Sequence, residues 1–348
     1  MDGHGAQRRE EWFWGLLVAA LSVQLAAVVA AIRQGGVVVP LSYGLGTIVE
    51  GIVVPLGAAM ALRAVLRAVA ERSVRRGLRT VLDQWWEYPF IVLSYVLLAE
   101  AYVWGKVFVP AINPRTWDGL LAAVDRFLCL GVDPNVALLT IFEGARPAAV
   151  LLDRFYGLFV PSMLAVTAWF STDRPARRKG FFLAVSIVWS LGLWLYIAVP
   201  ARGPVFVQSR LWHDVSAVFP IAASTQLRLL ENFRSVMAVL QGRHALIAPT
   251  LGIGAMPSLH VAAQALFFLW CVRLRTRWRT VFLVLTGLTF LGAVATGWHW
   301  AVDGWAGIVL AVIASIAGWR TVSMFEGRGP GAGPRQPEHA RGSPETSR

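Results

Sequence analysis

The strongest constraint on this chain is a series of apolar runs, each long enough or nearly long enough to cross a bilayer. They fall at roughly 12–32, 43–66, 88–110, 154–171, 181–200, 258–272, 280–298 and 301–319, against a need for about 20 residues per crossing. The runs at 154–171 and 258–272 are short and need their neighbours to complete a span. With 56% hydrophobic and only 15% charged residues, lipid is the main solvent of this protein. The expected fold is an all-α integral membrane protein with about eight transmembrane helices. The first run, Trp12 to Ile32, is longer than a signal-peptide core and lacks a small-residue cleavage site, so it reads as a retained helix. Sixteen Trp and eighteen Phe suit the bilayer interfaces.

The formal charge of +12 is a topology signal before it is anything else. Arg8 and Arg9 precede the first run, and Arg63, Arg67, Arg72, Arg75, Arg76 and Arg79 follow the second. Arg174, Arg177, Arg178 and Lys179 separate the fourth from the fifth, and Arg273, Arg275, Arg277 and Arg279 the sixth from the seventh. Arg320, Arg328, Arg335 and Arg341 follow the last. With eight spans every cluster falls on one side, which the positive-inside rule makes cytoplasmic. The expected location is the cell membrane, multi-pass. A nucleic-acid partner is excluded, because no basic cluster is joined to a groove-reading or base-stacking module. The same topology puts Cys129 and Cys271 near opposite faces, so neither a disulfide nor a Cys-based metal site is expected.

The other side then carries residues 33–42, 111–153, 201–257 and a short turn near Trp298. Residues 116–130 gather Leu120, Leu121, Val124, Phe127 and Leu128 near one helical face, and residues 224–242 gather Leu227, Leu230, Phe233, Val236 and Met237. Both segments are expected as interfacial helices able to roof a pocket. Residues 1–85 form a two-helix membrane extension with a basic loop, 86–320 a six-helix core, and 321–348 a tail that from Gly327 has almost no apolar residues and is expected to be disordered.

The polar chemistry concentrates on that same side. Gly254-Ala255-Met256-Pro257-Ser258-Leu259-His260 and Thr296-Gly297-Trp298-His299-Trp300-Ala301-Val302-Asp303-Gly304 each open a helix there. Pro257 suits a first helical turn, and the free N–H groups after it make an anion site to which Ser258 adds a hydroxyl. His299 and Asp303 are four apart on one helical face, so the carboxylate can accept from one imidazole nitrogen and leave the other available as nucleophile or base. Arg202, in Val199-Pro200-Ala201-Arg202-Gly203-Pro204, ends the fifth span on this side, where its guanidinium can hold a phosphate.

These motifs resemble those of a known family. Pro257-Ser258-Leu259-His260 and His299-Trp300-Ala301-Val302-Asp303 are similar to the second and third motifs of the phosphatidic acid phosphatase type 2 superfamily, a six-helix membrane fold. With the Pro-Ala-Arg-Gly-Pro element they resemble most its inositol phosphorylceramide synthase and sphingomyelin synthase branch, over roughly residues 88–319. The resemblance implies His299 as the nucleophile that becomes phosphohistidine, Asp303 as its orienting partner and His260 as the general acid. It implies Arg202 and Ser258 as phosphate contacts, and a phospholipid or polyprenyl phosphate as substrate. It calls for no metal and no cofactor, since helix N-termini and cationic side chains can stabilise the transferring group. Two family cations are missing: Leu195 stands where a Lys is usual, seven positions before Arg202, and Val294 where an Arg is usual, five before His299. Arg210, Arg234, Arg243, His213 and His244 of the long loop are possible substitutes, and nothing in the sequence selects among them.

Two further readings come from other classes. A transporter or scramblase needs polar groups at the bilayer midplane, for which Glu50 and Glu100 are the candidates. An inactive scaffold keeps the fold without phosphate chemistry. Asp153 and Arg154, before the fourth span, are expected to play a structural role.

Overall fold

The computed structural model describes residues 3–39, 45–82 and 85–326. Of the tail expected at 321–348, residues 321–325 continue the last helix and the part from Gly327 lies outside the described residues, as do the side chains of Arg8, Arg9, Glu50 and Arg210. The described chain is built from sixteen helices. The N-terminal extension holds α1 (Gly3–Gln34), α2 (Leu45–Ala70) and the short α3 (Val74–Leu82). Then come α4 (Glu87–Val107), α5 (Val109–Ile112), α6 (Asp118–Leu128), α7 (Pro134–Gly144), α8 (Arg146–Gly157) and α9 (Phe159–Ser171). The second half comprises α10 (Pro175–Ala198), α11 (Pro204–Val207), α12 (Ser209–Val218), α13 (Pro220–Leu240), α14 (Leu259–Arg273), α15 (Trp278–Ala295) and α16 (Ala301–Phe325).

Six segments are long and apolar enough to cross a membrane unaided: Glu11–Gln34 of α1, Gly51–Ala70 of α2, and the whole of α4, α10, α15 and α16. The run expected at 154–171 passes the same test only as the pair α8 and α9, bent by 47° at the join. Pro161 explains the break: it has no N–H to give, and its ring clashes with the carbonyl four residues back, at Gly157. The remaining expected span, α14, has fifteen residues, a length of about 22 Å where the hydrocarbon core is about 30 Å thick. It manages with this because it is enclosed by protein. Apart from His260, every residue from Leu259 to Phe267 is buried, which is why its apolar pattern has no helical period.

The core forms around α14. Phe181, Ala184, Val185 and Val188 of α10 pack with Leu259, Ala262, Leu266, Phe267 and Trp270 of α14 and with Leu310, Ala311 and Ala314 of α16. The extension is added to this core sideways, α1 against α4 through Val28, Ile32, Ala101 and Trp104. The outer faces of α2 and α15 leave Val54, Leu66, Val69, Leu283 and Val284 exposed, as lipid-facing helices do.

The bundle has two chemically distinct ends. At one, Phe13 of α1 meets Phe325 of α16, and the Lys179 ammonium lies over the Phe325 ring. There Glu87 pairs with both Arg178 and Lys179, all of them buried. Arg63 of α2 stacks on Trp169 with its guanidinium carbon 4.3 Å from the ring centre. It donates to the Trp169 carbonyl at 2.8 Å and to the Thr172 hydroxyl at 3.0 Å, and approaches Asp173 at 3.5 Å. Arg273, over Trp319, joins the same end. At the other end Asn113 donates to the Ile197 carbonyl and Trp117 N–H to the Pro200 carbonyl, and the loops carrying the sequence motifs converge there.

Arg63 is thus the polar fastening of α2 to the core. Arg63→Ala is expected to cost about 1.5–3 kcal/mol, the scale of hydrogen bonds to a charged group. Amide hydrogen exchange should rise in α2 and stay unchanged in α10 and α16.

Candidate active site

Three loop segments distant in sequence are joined by backbone hydrogen bonds. Ala255 N–H donates to the Ala201 carbonyl at 2.8 Å, Val205 N–H to Gly297 at 3.0 Å and Ser258 N–H to Asp303 at 2.9 Å. Gly203 sits at φ +100°, and a Cβ there would run into the Trp298 carbonyl, so only glycine allows the first and third segments to approach this closely.

The fold places His299 with its Nδ1 2.8 Å from the Ala255 carbonyl oxygen and 3.5 Å from Asp303 Oδ2. A carbonyl can only accept, so Nδ1 carries a proton, and in the neutral ring the lone pair is therefore on Nε2. The direct tautomer-setting contact is therefore a backbone carbonyl, which the sequence did not reveal, and the carboxylate stands behind it. Asp303 Oδ2 also accepts from Trp300 N–H at 2.9 Å, capping the start of α16. Both side chains are buried.

His260 faces this pair across a short gap, with ring centres 5.7 Å apart. It is held between Tyr156 at 5.3 Å and Phe159 at 4.4 Å, and its Nδ1 has no hydrogen-bond partner in the protein. Arg202 lies at the same end with its guanidinium 5.4 Å from the Phe233 ring centre. Ser258 is used differently. It is fully buried, its hydroxyl accepts from Val261 N–H at 3.5 Å as the N-cap of α14, and it is not on the cavity wall. Pro257 precedes that cap, after a cis peptide bond, and so stands outside the first helical turn where the sequence suggests it.

His260, His299 and Arg202 line one cavity of about 520 Å³. Its wall continues away from them along Tyr102, Leu98 and Tyr95 of α4, Val160 and Met163 of α9 and Trp189 of α10. Polar groups thus cluster at one end of a long apolar groove. Lys106 lines it too, close to the histidines; the sequence offers it only as an unremarkable cation at the end of a span. Of the long-loop cations, Arg234, Arg243, His213 and His244 do not reach the wall. Glu100 does not either; it accepts from the Trp104 indole at 2.9 Å, on the side of α4 that faces α1.

Acidic and amide side chains from the long loops hold this end together. Asp118 accepts from Arg202 N–H at 3.0 Å, Gly203 N–H at 2.9 Å and the Trp300 indole at 3.0 Å. Asp125, one face along α6, accepts from Ala301 N–H at 2.6 Å and Val302 N–H at 2.8 Å. Burial pushes the Asp125 carboxyl above its ordinary value, against the opposing pull of those two donors. Asn135 donates to the Val294 and His299 carbonyls, and Gln226 to Thr296. Asp153 lines the cavity but spends its carboxylate on Ile221 and Ala222 N–H, capping α13, which agrees with the structural role expected of it.

The two amphipathic segments are helices, but rotated from expectation. In α6 the inward face is Asp118, Leu121, Ala122 and Asp125, while Leu120, Phe127 and Leu128 point out. In α13 it is Ala222, Gln226, Leu229, Asn232 and Val236, with Leu227 exposed. The reason is hydrogen bonding: loop N–H and C=O groups buried at this end need partners, and the polar side chains that supply them must face inward. Ile221, Ala222, Thr225 and Leu229 of α13 do wall the cavity, so this helix encloses it as anticipated.

The PAP2 superfamily matches residues 119–317, more than half of the chain. The chain therefore belongs to the PAP2 superfamily, whose matched stretch runs from α6 to α16 and contains every expected site residue. No curated protein and no solved structure matches it. Family membership supports phosphatase or phosphotransferase chemistry in general, on an all-helical membrane fold.

Asp118 carries a clear prediction. Asp118→Ala leaves three donors without their acceptor at a buried position, at about 1–3 kcal/mol for each unsatisfied group. The purified variant should melt measurably lower than wild type, whereas Glu143→Ala, at an exposed position of α7, should not.

Proposed function

We propose that this protein is a membrane lipid-phosphate phosphatase or phosphotransferase that works through a phosphohistidine on His299. The observation that carries the proposal is the pairing of His299, its Nδ1 proton committed to the Ala255 carbonyl, with His260 across one cavity that also holds Arg202. In this reading His299 Nε2 attacks phosphorus, the P–O ester bond breaks, and the leaving oxygen takes a proton from His260. Water or an alcohol then attacks the phosphohistidine, the P–N bond breaks, and His260 recovers the proton as general base. Asp303 offsets the positive charge that develops on the His299 ring, and Arg202 neutralises the phosphoryl oxygens.

The apolar groove leading away from the histidines favours a substrate with a long hydrocarbon chain, such as a phospholipid or polyprenyl phosphate. Val294 in place of the usual last Arg, together with the Pro-Ala-Arg-Gly-Pro element, favours the inositol phosphorylceramide synthase and sphingomyelin synthase branch, and so transfer to an alcohol acceptor. The gathering of Arg63, Arg178, Lys179 and Arg273 at the opposite end supports a site on the non-cytoplasmic side of the cell membrane. The first two helices are read as an extension outside the catalytic core.

On a confirmed lipid-phosphate substrate, His299→Ala and His260→Ala are each expected to lower turnover by at least ~100-fold. Asp303→Asn should lower kcat by about 10-fold or more with little change in KM. Because the Ala255 carbonyl still holds the tautomer, the loss reflects missing charge and not a flipped ring. Asn caps a helix start about as well as Asp, so an equally active and equally stable Asp303→Asn enzyme would confine Asp303 to capping. Wild-type turnover by either histidine variant would remove that residue from the mechanism.

Orientation is tested separately, by impermeant thiol labelling of single cysteines introduced at 275 and 243. Labelling at 243 and not at 275 in intact cells is expected; the reverse would place the site on the cytoplasmic side.

A further inference from the structure

Lys106 stands in the last turn of α4, at the top of a stripe formed by Tyr95, Leu98, Tyr102 and Val103 on the cavity wall. A lysine at the end of a span ordinarily snorkels outward to the lipid headgroups. This one does not. Its ammonium lies 5.2 Å from the Tyr196 ring centre and 5.7 Å from that of Tyr102, and its stem passes beneath the loop that leads into Ser258. A Cβ on Gly252 would come within 3.0 Å of Lys106 Cγ, so this loop lies directly against the lysine stem. Among the described residues no carboxylate comes within ion-pair distance of it.

The same wall carries two further polar atoms that are buried and have no protein partner, the Trp298 indole Nε1 and His260 Nδ1. A half-buried cation without a counter-charge costs free energy, and unpartnered polar atoms beside it add to that cost. One anion placed among them would offset both. We propose that Lys106 is the second cation of the phosphate site, supplied from α4 in place of the cations missing at Leu195 and Val294, and that with Arg202 and the Trp298 indole it holds the phosphate of the substrate. Its position also sets how the substrate lies. From Lys106 down to Tyr95 the stripe runs for about 16 Å along the helix, so the chain esterified to a phosphate held here extends along α4, parallel to the bundle.

The inference deepens the phosphate-transfer reading and rests on it, but its test reads binding and not turnover. Binding of inorganic phosphate and of dodecyl phosphate is measured on the full-length protein by thermal shift, in a His299→Ala background so that neither probe is consumed. Adding Lys106→Met, which keeps the stem and removes the charge, is expected to weaken dodecyl phosphate at least 10-fold, with Lys106→Arg retaining most of the affinity. The ligand-free melting temperature should be unchanged; if Lys106→Met does not fold, Lys106→Gln replaces it in the same comparison. Weakening of both probes, or of dodecyl phosphate alone, supports the assignment, the second result tying it to a lipid-borne phosphate. Unchanged dodecyl phosphate affinity would overturn it and leave the His299 mechanism standing. Absence of binding by either probe at millimolar concentrations with Lys106 intact would overturn the whole anion cradle.

Discussion

The arrangement at the motif end depends on carboxylates that accept backbone N–H groups. Asp118 and Asp125, seven residues apart on α6, take the N–H groups of Arg202, Gly203, Ala301 and Val302 and the Trp300 indole. These donors belong to two segments that meet at this end, and those of Gly203 and the Trp300 indole are buried where solvent does not satisfy them. A carboxylate is suited to the task because it only accepts and has room for several donors. Through this one short helix, the segment carrying Arg202 and the segment carrying His299 are fixed relative to each other.

From that clamp the remaining geometry follows. With the 297–303 turn fixed, Ser258 N–H bonds the Asp303 carbonyl and the His299 ring reaches the Ala255 carbonyl, so the start of α14 is set against the start of α16. His260 then points from the first turn of α14 towards His299. The enclosure of α14 by α9, α10, α15 and α16 gives this turn a rigid base. Two imidazoles, a guanidinium and an ammonium consequently share a cavity whose remaining wall is largely hydrocarbon and aromatic ring.

The two ends of the bundle handle charge differently. At the Glu87 end, cations and anions pair directly, as Arg178 and Lys179 do with Glu87 and Arg63 with Asp173. At the motif end Asp118, Asp125 and Asp153 are occupied with backbone donors, and Arg202 and Lys106 have no carboxylate within ion-pair distance among the described residues. Cations left without acidic partners in a concave site are what an anionic ligand requires, and this difference between the two ends underlies the proposed phosphate site.

Much of this was legible in the sequence, because the signals concerned are local. A crossing needs about 20 apolar residues, so α1, α2, α4, α10, α15 and α16 could be read as spans; the His299–Asp303 spacing does bring the two side chains within 3.5 Å, but His299 stands just before the Trp300 N-cap of α16 and not on a face of that helix as its spacing suggests. The short run at 258–272 already marked α14 as unusual. What only the tertiary structure decided are contacts between residues far apart in the chain: Asp118 with Gly203 across 85 positions, Asn135 with the His299 carbonyl across 164, and Lys106 folded beneath Gly252. The inward faces of α6 and α13 belong to the same class. Their apolar residues suggested one orientation, but the need of buried loop N–H and C=O groups for partners turned Asp125, Gln226 and Asn232 inward instead. Hydrophobic length and helical period act within a segment and can be read from it, whereas satisfying a buried polar group depends on which other segment the fold brings within 3 Å.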